Sequence, residues 1–207
     1  MKGLGQFGTN NIIKPSTREP GKVYIPALGQ SVKLVDWRED PIYDTVQFAT
    51  SITAGKEYIF FRDVSNKDDW QTNLKQSSRL PADTEMIVWR PGISILEDVK
   101  PADAKNIVAK AYAKIEISDT IYASGPMQRF PSGFGLAGVA AGTTTTDEGI
   151  YTLGVPAPGS VPPLTIPIHV THNDDIRGTV KYAVATTLSA ASYVRMYLMG
   201  WIKRPVR

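Results

Sequence analysis

The sequence predicts an all-β sandwich that carries one short helix. Three observations predict it: many short runs of β-branched and aromatic residues, Gly- and Pro-rich turns between them, and one isolated segment with helical periodicity. With 207 residues the chain can bury about 70% of its extended-chain surface and needs no covalent staples. It has none from cysteine. The absence of that residue also removes thiolate metal sites and cysteine nucleophiles.

Residues 1–20 are rich in Gly, Asn, Pro, Ser and Thr and read as a flexible arm ahead of a domain spanning 21–207. Lys22 to Pro26 and Ser31 to Trp37 then read as strands around an Ala-Leu-Gly turn. Asp44 to Thr50 sets Val46 and Phe48 against polar neighbours, the period of a half-buried strand. Glu57 to Phe61 follows the turn at Ala54 and Gly55, and a polar stretch runs from Arg62 to Arg79. Glu85 to Arg90 is a strand that Pro91 and Gly92 are expected to break before Ile93 to Leu96. Between Pro101 and Ala113 the period changes. Ala104, Ile107, Val108 and Ala111 share one helical face, which predicts a helix near residues 102–112.

Lys114 to Ile117 and Thr120 to Ala123 return to strand patterning. Residues 124–163, with repeated Gly and Pro and four consecutive threonines, read as a long irregular connection, and such loops are usually functional. Leu164 to Val170, Gly178 to Thr187 and Ser192 to Lys203 complete the strands. In the last, Tyr193, Arg195 and Tyr197 alternate with Val194, Met196 and Leu198. An eight-stranded jelly roll fits this length and strand count best. A compact double jelly roll, needing about sixteen strands, is the alternative.

Few motifs point to chemistry. Gly133, Gly135 and Gly138 match the spacing of a dinucleotide-binding loop, but no strand precedes them and no helix start follows, so a loop is the better reading. His169 and His172 are the only histidines, too few for a three-ligand zinc site without cysteine. The pairs Asp68-Asp69 and Asp174-Asp175 have the composition of a calcium or acid/base site, yet each sits in a turn-like stretch where Asp and Asn cap the backbone. With no nucleophile elbow or phosphate loop either, neither an enzyme nor a cofactor is expected. The tryptophans Trp37, Trp70, Trp89 and Trp201 admit two readings: a sugar-binding platform, or packing between sheets.

The net charge of +3 is too small for a dedicated nucleic-acid reader. It is concentrated at the ends, where Lys2 and Lys14, and then Arg195, Lys203, Arg204 and Arg207, have no acidic residue among them. No run reaches the ~18 apolar residues of a membrane span, and the first residues lack the apolar core of an export signal.

The C-terminal third carries a resemblance. Leu164 to Ile168, Thr187 to Ala191 and Val194 to Val206 are similar to the ending of a family of small phage capsid proteins, which close on a tyrosine-leucine-x-glycine strand followed by arginine-proline-valine. Thr72 to Leu74, Arg79 to Pro81, Lys114 to Tyr122 and Phe130 to Gly138 resemble that family's middle segments in the same order. The likeness is loose over 50–207 and closer over 164–206. It implies a jelly-roll coat protein of a tailless icosahedral bacteriophage, assembled in the host cytoplasm and resident in the virion. Its partners would be copies of itself, as trimers or capsomers, and other capsid proteins. Lys203, Arg204 and Arg207 would then form an interior-facing basic patch in weak contact with genome or an internal membrane, or else Arg204 and Arg207 would pair with acids on a neighbouring subunit. The alternative function is a β-sandwich carbohydrate- or receptor-binding module, a spike or decoration protein of the virion.

Overall fold

The computed structural model describes residues 14–15, 22–25, 28–33, 36–96, 99–131, 137–140, 149–152 and 164–203. Eight sandwich strands and one helix follow in chain order: β1 (Ile42–Phe48), β2 (Glu57–Phe60), β3 (Glu85–Ile95), α1 (Pro101–Ala109), β4 (Ala111–Ile117), β5 (Thr120–Pro126), β6 (Ile168–Thr171), β7 (Ile176–Tyr182) and β8 (Ser192–Lys203). They build two antiparallel sheets, ordered β6-β3-β8-β1 and β5-β4-β7-β2, and the first has a fifth, short strand, Trp37–Glu39, paired with Trp201–Lys203 at the end of β8. The protein is therefore all-β with one short helix, as its sequence predicts.

The pairing has a simple logic. β1 pairs with β8, β2 with β7, β3 with β6 and β4 with β5. The strands thus trace one long antiparallel hairpin, folded so that its arms supply both sheets. Its tip is Ser118-Asp119, with φ of 47° and 65°. That backbone makes a two-residue turn whose twist matches the strands. Left-handed backbone costs a non-glycine residue about 1–2 kcal/mol. Ser118 offsets this by donating its hydroxyl to Asp174 and its N–H to the Asp175 carbonyl, both at 2.9 Å. The tip is thereby tied to the β6–β7 turn.

Alternate residues face the opposite sheet. Val194, Met196 and Leu198 of β8 and Ile176, Val180 and Tyr182 of β7 are all buried in one continuous core. Phe48 stacks on Tyr58 at 4.0 Å and meets Tyr182 edge-on at 5.9 Å, so these rings pack between the sheets. The sheets approach closely at Gly178, where a Cβ would lie 2.2 Å from the Met196 sulfur. Helix α1 begins on a proline, whose fixed φ suits a first turn. It buries Ala104 and Ile107, and Tyr182 donates its hydroxyl to the Ile107 carbonyl at 3.2 Å. Burial pushes the Tyr182 phenol pKa up.

Four expectations change in the structure. The helix stops at Ala109 rather than 112, because Ala111 already pairs with Tyr182 on β7. Strand β3 runs through Pro91 and Gly92, which pair with Leu198 and Tyr197. β6 reaches only as far as Val88, so at Pro91 β3 is bonded on one side and a missing N–H is tolerated. Lys14–Pro15 pairs with Val23–Tyr24, so strand pairing crosses the expected arm boundary at residue 20. That small sheet brings Ile25 against Trp37, Ile87 and Trp201, covering one end of the outer face of β3 and β8. Finally, the connection from 124 to 163 is partly regular. Its start belongs to β5, a 3-10 turn spans Met127–Arg129, and Ala137–Ala140 pairs with Gly149–Thr152. Its other residues from 132 onward, 132–136, 141–148 and 153–163, lie outside the described residues. All eight sandwich strands belong to one pair of sheets, with no second sandwich among the described residues.

Candidate functional site

Of the expected basic patch, only Lys203 lies within the described residues; Arg204 and Arg207 fall outside them. Lys203 ends β8 on the outer face of its sheet, with Nζ 2.9 Å from Glu85 Oε1 on β3. The other Glu85 oxygen is 3.2 Å from His169 Nε2 on β6. The hydrogen bond from Lys203 holds the Glu85 carboxyl below its usual range; partial burial opposes this and His169 assists. The charge of Lys203 is thus balanced within its own chain.

The other sequence motifs resolve into structure. His172 lies in the turn after β6, and no group of three His, Asp or Glu that could hold a metal occurs among the described residues. Asp174 accepts the Thr171 N–H and hydroxyl, each at 2.8 Å, and the Ser118 hydroxyl. Partial burial works against its ionisation, but these bonds outweigh it and hold its carboxyl below the usual range. The carbonyl of Asp68 accepts the N–H groups of Gln71 and Thr72, and Asp69 pairs with Lys75 at 2.9 Å in solvent. Turn chemistry accounts for these bonds. Gly133 and Gly135 fall outside the described residues, while Gly138 lies in a strand rather than at a helix start.

Two acids that sequence reasoning passed over are buried. Asp44 on β1 is 0% exposed; it accepts the Phe61 N–H at 2.7 Å and pairs with Lys67 at 2.7 Å. Asp103 in the first turn of α1 accepts the Ser189 N–H at 3.0 Å and also the Ser189 hydroxyl. Each ties a loop to the sandwich. Neither pattern is periodic in sequence, since the partners lie 17 to 86 residues away.

A different constellation remains open to solvent. On the outer face of the β6-β3-β8-β1 sheet, Tyr193, Arg195 and Tyr197 of β8 stand opposite Gln47, Thr45 and Tyr43 of β1. The Arg195 guanidinium lies 4.8 Å from the centre of the Tyr43 ring and 5.9 Å from that of Tyr197. Its Nε donates to Thr45 Oγ1 at 2.9 Å, and Nη2 donates to the Trp70 carbonyl. Tyr43 donates its hydroxyl to the Asp69 carbonyl. The turn carrying Trp70 is therefore pinned to the sheet by both carbonyls. Its indole meets Tyr193 edge-on at 5.4 Å. The β8 alternation is visible in the sequence, but nothing in the polar stretch 62–79 announces that Trp70 joins it. Trp37 and Trp89 are buried and Trp201 is half-buried against Ile25, Trp37 and Ile87, so the platform reading attaches to Trp70, the exposed one of the four. Compared with protein-family models, curated proteins and solved structures, the chain matches none.

Proposed function

We propose that the chain is a structural virion protein, a single jelly-roll coat subunit that assembles with copies of itself into an icosahedral shell. The observation that carries this reading is the strand order. Two antiparallel sheets whose main strands pair first with last and fourth with fifth support a jelly-roll winding. The fold alone does not imply a function. The sequence resemblance to small phage coat proteins adds the specific content, and it falls largely on β8, the strand paired with both β1 and β3.

The buried anchors suit a building block. Asp44 and Asp103 hold loops on the sandwich, so faces meet a neighbour with little ordering left to do. With Lys203 balanced by Glu85, a basic lining of the particle interior rests on Arg204 and Arg207.

Sedimentation velocity and negative-stain microscopy of the expressed chain test the reading. Closed shells, or capsomers that convert to shells with other capsid proteins of the same virus, are expected. A protein that stays monomeric across concentration, pH and salt, alone and with those proteins, overturns it.

A further inference from the structure

We propose that the exposed corner formed by Trp70, Tyr193 and Arg195 is a binding site for a neutral carbohydrate. This goes beyond the coat reading and does not depend on assembly. Trp70 is 47% exposed and Tyr193 36%, whereas Trp37 and Trp89 are buried. The exposure is not looseness. Arg195 and Tyr43 clamp the two carbonyls of the turn, and Tyr193 braces the indole at an interplanar angle of 79°. A site held this way loses little freedom when a ligand arrives.

The chemistry of the corner selects the ligand class. A pyranose ring presents a face of C–H groups bordered by hydroxyls that both donate and accept. The perpendicular rings offer apolar surface for that face. Nη1 of Arg195 has no partner among the described residues and is free to donate. The exposed Asp68 carboxylate, two residues before Trp70 and likewise without a partner among the described residues, accepts. An anionic ligand would meet Asp68, the charge of Asp69 being balanced by Lys75, and a cationic one would meet Arg195. An uncharged polyol satisfies both signs.

The test uses the full chain, assembled or not, against an array of neutral oligosaccharides of glucose, galactose, mannose and N-acetylhexosamines, with sialylated and uronic-acid glycans as comparators. Neutral glycans are expected to bind and to shift tryptophan emission. Trp70→Ala should weaken binding by about tenfold or more with an unchanged circular dichroism spectrum. Trp70→Phe, which keeps a ring, should retain measurable binding. Absence of neutral-glycan binding by the parent chain, preference for the acidic glycans, or equal binding by Trp70→Ala overturns the proposal. If the parent binds no sugar and Trp70→Ala abolishes particle formation, the face is instead a contact between copies of the chain.

Discussion

Replacing Asp44 by alanine tests how far one buried carboxylate holds the sandwich to its loops. Asp44 accepts the backbone N–H of Phe61, itself fully buried at a left-handed φ of 68°, and neutralises Lys67. Removing one partner of a buried ion pair costs about 3–5 kcal/mol. An orphaned buried N–H by itself costs about 1–3 kcal/mol. The Lys67 side chain keeps 16% of its exposure and can recover some hydration, so the two do not add in full. A loss of about 4 kcal/mol is expected. At about 2–4 °C per kcal/mol for a chain of this length, the melting temperature should fall by about 8–16 °C. Asp44→Asn separates the contributions, since its amide oxygen still accepts from Phe61 while the charge is lost; it should cost about half as much. Urea unfolding followed by far-ultraviolet circular dichroism, with thermal melts in parallel, measures both variants. An Asp44→Ala protein within about 1 kcal/mol of the parent would refute the anchoring argument.

Gly178→Ala and Gly200→Ala should differ in the same assay. The first drives a methyl into the movable Met196 side chain, for about 1–3 kcal/mol, whereas the second places it 2.1 Å from the Ile87 carbonyl oxygen and should cost more. Glu85→Gln should narrow its stability gap to the parent as the solution is acidified. A carboxyl held below its ordinary value of 4.5 contributes fully above that pH and loses its contribution as pH falls through its lowered value, so a pH-independent gap would contradict the pairing with Lys203. Arg204→Gln with Arg207→Gln should lower retention of nucleic acid or anionic vesicles by assembled shells while leaving the subunit's melting temperature unchanged; Lys203→Gln should instead lower the melting temperature. Equal retention by the double variant and the parent removes the basic-patch reading.

Much of this architecture was legible in the chain itself. Alternation at Val194, Met196 and Leu198 marks an inward row, and the switch to helical period at Ala104, Ile107 and Val108 marks α1, because burial of one face repeats locally. Turn chemistry identified the roles of Asp174 and Ser118 only in part: the sequence placed an acidic turn there, while the bond between them joins two turns 56 residues apart. Other outcomes belong to tertiary structure alone. Pro91 could continue a strand because β6 ends before reaching it. Ala111 left the helix because β7 offered it a ladder. Asp44, read locally, was one polar residue in an alternating strand, and Trp70 one aromatic in a polar loop. Their roles arose when residues distant in sequence came within hydrogen-bonding range. Periodicity records which side of a strand or helix is dry, a property of neighbours along the chain. Strand order, buried charge pairs and the corner at Arg195 depend on contacts across the fold, which no local pattern encodes.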